Sequence, residues 1–195
     1  MVQSNPIMEL NLWLANEHEK GVSNPNHAVL STVSLENTPH SRVIAIREIT
    51  DEGLVFFTQR RTRKVEELSH NLSVSLVFWL ELLQREIIIE GKVIALDEKE
   101  NARYWENYPQ WAQIRFLSYA PTSMQEISSK KLLETKRQEL EKYFENKSIP
   151  LSLEYCGFRV QPERMVFYAY RTDELSDVWE YTRKEESWHL CTLSP

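Results

Sequence analysis

Glycine is scarce in this chain of 195 residues, which has four: Gly21, Gly53, Gly91 and Gly157. They lie too far apart to form the glycine-rich turn that binds a dinucleotide or the glycine loop that surrounds a phosphate group. If the protein binds a nucleotide, its side chains must therefore hold the phosphate.

Cysteine, positive charge and long apolar segments are also limited. Two cysteines and five histidines provide neither a disulfide framework nor the paired spacing of a metal site. The net charge of −6 disfavours general nucleic-acid binding, because a surface that follows phosphates needs an excess of cations. No apolar run approaches the roughly 18 residues of a membrane span, and no secretory signal pattern is present. We therefore expect a cytoplasmic protein that binds no metal, nucleic acid or membrane.

The period of the hydrophobic pattern changes along the chain. Asn5-Pro6 resembles a helix cap and predicts a helix over residues 5–20. Alternating β-rich runs then predict antiparallel strands, and a polar segment at 62–71 predicts a short helix between the third and fourth of them. The strands expected are Ala28–Ser34, Arg42–Ile49, Leu54–Thr58, Ser73–Leu80, Glu86–Leu96, Cys156–Val160, Arg164–Arg171, Val178–Arg183 and Trp188–Leu193, the last two joined by a turn at Lys184–Ser187.

The region between the two groups of strands reads as helical. Helices are predicted at 97–108 and 123–146, the second with candidate core positions at Ile127, Leu132, Leu133, Leu140, Tyr143 and Phe144. This order of elements favours a single α+β domain over residues 1–195. Its sheet is expected to close into a barrel formed by 27–96 and 154–195, with 97–147 as a helical insertion.

A basic segment at residues 60–64, Arg-Arg-Thr-Arg-Lys, stands where the short helix is expected to begin. A helix N-terminus already carries partial positive charge, so cations are unfavourable there unless an anion lies among them. The first-turn amides, the Thr62 hydroxyl and the Arg63 guanidinium would surround a phosphate, and Arg42 would add a further cation. A solvated basic patch and a local RNA contact are the alternatives.

Several motifs resemble those of the pyridoxamine 5′-phosphate oxidase family. The FMN-binding half of that family is matched by the run Arg42–Arg47, by Asp51–Thr58 and by Thr62-Arg63-Lys64. The similarity continues through 85–91, 157–162 and the C-terminal segment, and therefore covers most of the chain in matching order.

The resemblance implies a split β-barrel that is antiparallel and Greek-key-like, has peripheral helices and binds FMN. It also implies a homodimer with FMN at the subunit interface, where Trp79, Trp105 and Trp111 are candidate contacts unless they belong to the core. Arg42, Arg63 and Lys64 would hold the FMN phosphate. The other predicted cofactor positions are Val43, Ile44, Ala45, Phe57, Thr58, Thr62, Glu86, Ser123 and Tyr168.

Substrate positions are implied at Arg47, Tyr104 and Tyr108. Tyr104 and Tyr108 lie four residues apart on a predicted helix and suit a lid over an aromatic ligand, although ordinary packing also explains the spacing. Tyr108 itself replaces the usual arginine, and Glu86 replaces a glutamine that contacts the flavin ring. Residues 174–178, Glu-Leu-Ser-Asp-Val, stand where the family has Arg-Leu-His-Asp-Arg. A carboxylate beside a dianionic ligand costs several kcal/mol, which disfavours a substrate phosphate.

The function implied is an FMN-dependent oxidase that transfers a hydride from its substrate to FMN and then passes electrons to oxygen. No catalytic residue is assigned. The substrate is either pyridoxamine or pyridoxine phosphate or another reduced ring of the phenazine-precursor type, which the altered C-terminal motif favours. A flavin carrier without turnover and a barrel that no longer binds flavin are the other possibilities.

Overall fold

The computed structural model describes residues 5–185 and 187–195. Within them the chain forms five helices and eight strands. In chain order these are α1 (Pro6–Glu19), β1 (His27–Val33), β2 (Pro39–Thr50), β3 (Gly53–Gln59), α2 (Arg63–His70), β4 (Ser73–Leu80), β5 (Arg85–Ala95), α3 (Glu98–Glu106), α4 (Gln110–Tyr119), α5 (Lys130–Tyr143), β6 (Tyr155–Ala169), β7 (Asp177–Lys184) and β8 (Ser187–Leu193). None of the helices among these residues is long and apolar enough to cross a membrane.

The strands form one sheet whose first six members close on themselves. The order is β3-β2-β1-β4-β5-β6-β7-β8, and an additional pairing of β3 with β6 completes an antiparallel six-stranded barrel. Strands β7 and β8 continue the sheet beyond the closure. The predicted α+β split barrel is thus confirmed. Alternation of buried and exposed side chains along strands such as β1 and β4 places one face of each in the core.

Helix α1 begins where the sequence predicts. The Asn5 side chain accepts a hydrogen bond of 2.8 Å from the Ile7 amide, and Pro6 occupies the first turn, where its missing N–H is not needed. The helix buries an apolar stripe that includes Leu10 and Trp13. A buried carboxylate, Glu17, accepts hydrogen bonds from two backbone amides of the β4–β5 turn and so fixes the end of the helix.

The described chain forms two compact units. The first contains residues up to 56, 67–94 and 158 onward, and the second contains 57–66 and 95–157. The second has a small core of its own formed by Trp105, Ile114, Phe116, Ile149 and Tyr155. Trp105 is 1% exposed and its indole N–H donates to the Ile149 carbonyl at 2.9 Å, so it is a core residue and not an interface candidate.

The helical region differs from the sequence prediction. The helix expected at 123–146 is the shorter α5, which has no buried residue, and α4 was not predicted at all. Leu132 and Tyr143 are exposed, whereas Leu140 packs partly against the core of the second unit. The predicted core face is wrong because charged residues fill most of α5. Only a narrow apolar stripe of this helix packs against the core of the second unit.

Two strand predictions also need correction. The strands expected at 156–160 and 164–171 are a single strand, β6, of 15 residues. Proline usually interrupts a strand because it lacks an N–H, but Pro162 remains within β6 and is buried there. The turn predicted at Lys184–Ser187 includes residue 186, which lies outside the described residues.

Candidate functional site

The basic segment at residues 60–64 divides into two pairs of cations with different surroundings. In the second unit the Arg60 Nε donates to the Leu153 carbonyl at 2.8 Å, and the Arg61 Nε lies 3.1 Å from the Glu154 carboxylate. These two arginines fasten the segment to residues 153–154. They therefore have a structural explanation that needs no ligand.

The other pair lies at the first turn of α2. Lys64 Nζ donates to the Thr58 hydroxyl at 2.9 Å, and Arg63 is exposed, with no hydrogen-bonding partner in the described part of the chain. Thr62 is buried, and its hydroxyl donates to the Gln59 carbonyl at 2.8 Å. This hydrogen bond closes the turn before the helix. The Thr62 hydroxyl could therefore donate to an anion only if it gave up its bond to the Gln59 carbonyl. Two cations at a helix N-terminus remain a favourable arrangement for an anion.

A buried glutamine, Gln59, links the turn before α2 to the turn at Ser123 in the same unit. Gln59 is 2% exposed, and its Oε1 accepts a hydrogen bond of 3.2 Å from the Ser123 amide. Its Nε2 has no partner among the described residues. The structure therefore brings the predicted cofactor residues Thr58, Thr62, Lys64 and Ser123 together around Gln59, which the sequence reasoning missed.

A cluster of packed aromatic rings lies in the second unit, and one of its members, Phe57, directly precedes Thr58. The Phe57 ring stacks on Tyr155 with centroids 4.8 Å apart and also packs against Tyr104 at 4.9 Å. Tyr104 is thus held by packing against Phe57, which supports ordinary packing over a mobile lid. Tyr108 is half-buried and lies just after the end of α3. Burial raises the pKa of the Cys156 thiol to about 11, so this thiol stays protonated and is not a nucleophile at neutral pH.

In the first unit, Arg42 meets a buried carboxylate. Its guanidinium donates to the Thr32 hydroxyl at 2.5 Å and to Glu67 at 3.4 Å, and His40 Nδ1 lies 2.5 Å from the other oxygen of Glu67. Burial alone would raise the pKa of Glu67. Hydrogen bonds from Thr32 and His40 and the charges of His40 and Arg42 outweigh it and hold that pKa below its usual value. Glu67 is therefore an anion that orients the Arg42 side chain.

A cleft of about 470 Å³ lies in the first unit between α1 and strands β1 and β2. Ala45 and Arg47, predicted to contact the cofactor and the substrate, both line it. Nearby on β2, Ile44 is buried and Val43 is exposed. The remaining lining residues are mostly small or polar: Asn11, Leu14, Ala15, His18, Ser23, Asn24, Pro25, Asn26, His27 and Ile46.

Glu86 and Tyr168 are also brought together in the first unit, through Tyr170. The Tyr170 hydroxyl donates to Glu86 at 3.3 Å, its ring stacks on Tyr168 at 4.2 Å, and its other side meets Trp79 at 5.6 Å. Burial, followed by the Glu86 carboxylate, raises the pKa of Tyr170 and keeps its hydroxyl protonated as a donor. The sequence signal for Tyr170 is its spacing of two from Tyr168 in the strand predicted at 164–171, although β6 ends at Ala169.

The altered C-terminal motif forms an acidic loop around one arginine. Arg171 lies 3.4 Å from Glu174 and 3.1 Å from Asp177, and its amide donates to the Ser176 hydroxyl. Val178, where the family has arginine, is buried. The loop therefore neutralises its own cation and offers little to a phosphate.

FMN combines a charged phosphate group with a flat ring system, and the described residues include groups whose chemistry suits each of these parts. Among the described residues of the second unit, an exposed arginine without a hydrogen-bonding partner begins α2, and a buried amide donor without an acceptor lies at the end of the preceding strand. Both are groups that a phosphate can satisfy. In the first unit, the tyrosine pair beside Glu86 offers flat aromatic surface. The chain thus fits the cofactor that its motifs imply.

Comparisons with known proteins agree with this chemistry. The family model described as pyridoxamine 5′-phosphate oxidase matches residues 14–144, and the model described as pyridoxine 5′-phosphate oxidase C-terminal dimerisation region matches residues 155–195. A pyridoxine/pyridoxamine 5′-phosphate oxidase of Acaryochloris marina is 31% identical over 194 residues, covering 100% of this chain and 88% of the relative. One from Vibrio cholerae is also 31% identical, with 100% and 91% coverage.

Two solved structures extend the comparison. PhzG from Burkholderia lata 383, in complex with tetrahydrophenazine-1-carboxylic acid, matches with a TM-score of 0.88 and 28% identity over 100% of this chain and 94% of its own. A pyridoxamine 5′-phosphate oxidase-related, FMN-binding protein from Nostoc punctiforme shares the fold, with a TM-score of 0.80 and 13% identity over the whole of both chains. From its motifs, its barrel and these relatives, the chain belongs to the pyridoxamine 5′-phosphate oxidase family and has FMN as its cofactor.

Proposed function

We propose that the protein is an FMN-dependent oxidase of a reduced cyclic substrate that carries a carboxylate instead of a phosphate. FMN, when bound, supplies the chemistry by accepting a hydride and passing the electrons to oxygen. The protein supplies the binding, orientation and electrostatics. The observation that carries the proposal is the composition of the cleft that Ala45 and Arg47 share.

Arg47 is the one permanently charged residue among the described residues that line this cleft. A single guanidinium matches one carboxylate in a bidentate pair, whereas a phosphate ester at neutral pH carries close to two negative charges and needs more cations. The volume of about 470 Å³ lies within the range of small-molecule sites, roughly 300–1,000 Å³. The asparagines and histidines of the lining provide polar contacts for ring heteroatoms.

The acidic loop at residues 171–177 supports the same choice. Where the family has an arginine and a histidine for its substrate, this loop presents Glu174 and Ser176, and its arginine is already paired with Glu174 and Asp177. Bringing a phosphate dianion near two carboxylates is unfavourable. A ring with one carboxylate held at Arg47 avoids this repulsion.

The Burkholderia relative adds independent support, because it was crystallised with tetrahydrophenazine-1-carboxylic acid, a reduced ring with one carboxylate. We further propose that Arg63 and Lys64 hold the FMN phosphate, that Arg42 is oriented by Glu67 for the same role, and that Tyr168 and Glu86 face the flavin. The match to a C-terminal dimerisation region supports a homodimer through residues 155–195. That the flavin lies at the subunit interface is part of our proposal.

The proposal is tested by oxygen consumption with the purified FMN-loaded protein. We expect kcat/KM at least tenfold higher for a reduced phenazine carboxylate than for pyridoxamine 5′-phosphate. Arg47→Gln should raise KM for the carboxylate about tenfold or more, because a charged hydrogen-bonded pair is lost, and should leave the same ring without its carboxylate unaffected. Arg183→Gln, which removes an exposed arginine beside Trp188, is the matched control. A preference for pyridoxamine 5′-phosphate would contradict the proposal.

A further inference from the structure

Gln59 is a buried residue with an unused hydrogen-bond donor. The side chain is 2% exposed, and its Nε2 has no partner among the described residues. The amide orientation is fixed, because Oε1 faces the Ser123 N–H and a flipped amide would place two donors against each other. A buried donor without an acceptor is unfavourable, and such groups are rare in proteins unless a water, ion or ligand completes them.

The place of Gln59 in the chain narrows the choice of acceptor for its Nε2. The backbone carbonyl of Gln59 accepts from the Thr62 hydroxyl, so the residue is part of the turn from which α2 begins. Lys64 and the exposed Arg63 lie in the first turn of that helix. Helix amides and two cations make this an anion-binding environment, and an amide N–H is a donor that an anion can satisfy.

We propose that Gln59 is a direct ligand of the FMN phosphate, donating from Nε2 while its Oε1 holds the Ser123 turn in place. This inference rests on the proposed location of the phosphate at Arg63 and Lys64. Gln59 then joins two segments of the second unit, residues 57–64 and 119–125, into one phosphate site. Because Nε2 is buried, a phosphate reaches it only after a local rearrangement of the atoms that cover it.

The test compares the affinities of the apoprotein for FMN and for riboflavin, which has no phosphate, by equilibrium quenching of flavin fluorescence. Gln59→Glu keeps an acceptor for the Ser123 amide but replaces the donor with a negative charge. We expect FMN affinity to fall about tenfold or more and riboflavin affinity to change less than about twofold. Gln59→Met, which removes the donor without adding charge, should lower FMN affinity less and likewise spare riboflavin.

Gln113→Glu is the matched control, because Gln113 is a buried glutamine of the same unit whose Nε2 already donates to the Trp105 carbonyl at 2.6 Å. It should lower the melting temperature and leave the ratio of FMN to riboflavin affinity unchanged. If folded Gln59→Glu and Gln59→Met proteins keep the FMN affinity of the wild type, the inference is overturned, and the acceptor of the Gln59 Nε2 is a buried water instead. The Arg63→Ala, Lys64→Ala double variant separates the two ideas, because unchanged FMN affinity there would overturn the phosphate location itself.

Discussion

At the scale of single residues, the most informative side chain is Glu67. It is a carboxylate buried among a hydroxyl, an imidazole and a guanidinium, and it lies on the same short helix as Arg63 and Lys64. Burying a charge is tolerated only when its partners compensate for lost hydration. Glu67 therefore contributes to stability through its three partners, and it orients Arg42, a predicted phosphate ligand.

We predict that Glu67→Gln destabilises the protein by about 3 kcal/mol at pH 7, because His40 and Arg42 lose their buried anion. The pKa of Glu67 is lowered below its usual 4.5, so its contribution is complete above pH 4.5 and is lost as pH falls through the lower folded value. The difference from wild type should therefore shrink below pH 4.5. Urea denaturation at pH 7 and at pH 4 measures it. Glu66→Gln, which changes an exposed neighbour, should cost less than about 0.5 kcal/mol, and an equal cost for both variants would contradict the assignment.

At the scale of elements, helix α5 shows how little burial an amphipathic helix needs. Leu140 on α5 packs partly against the core of the second unit, whereas Leu132 on the same helix is 60% exposed. We predict that Leu140→Ala destabilises by about 1–2 kcal/mol, less than for a fully buried leucine, and that Leu132→Ala stays within about 0.5 kcal/mol. Chemical denaturation of the two variants provides the comparison. Equal effects would mean that a different face of α5 is docked.

The strands were predictable from the sequence, and the helices after residue 97 were much less so. Alternation from His27 to Ala95 reflects a sheet with one face in the core, which is a local property of the chain. By contrast, α4 buries Ala112, Gln113 and Ser118 together with Ile114 and Phe116, and a pattern of apolar residues does not reveal a buried face that is largely small and polar. For the candidate site, the charges at 62–64 were visible as a local conflict with the helix dipole. Gln59 was not, since its significance depends on Ser123, 64 residues away.

At the scale of the whole molecule, cofactor binding and folding are linked. FMN that binds only the folded protein stabilises it by about 2.7 kcal/mol at a free concentration one hundred times its Kd. For a chain of this size we predict that removal of FMN lowers the melting temperature by about 5–10 °C, and that adding FMN restores it. Thermal denaturation followed by circular dichroism, with added FMN or riboflavin, measures this change, and riboflavin should raise the melting temperature less than FMN does. A melting temperature independent of FMN would contradict the link.

The closure of the barrel sets strict limits on variation in this chain. Strands β3 and β5 approach consecutive residues of β6, and a Cβ at Gly53 or Gly91 would overlap the carbonyl oxygen of Val160 or Gln161. Gly21, by contrast, has open space around it and only its backbone angle, φ 117°, restricts replacement. In a library of all single substitutions, positions 53 and 91 should accept nothing but glycine, while position 21 should admit asparagine. The barrel closure thus requires glycine at positions 53 and 91, and other chains that close a barrel through the same approach should carry glycine at the matching positions.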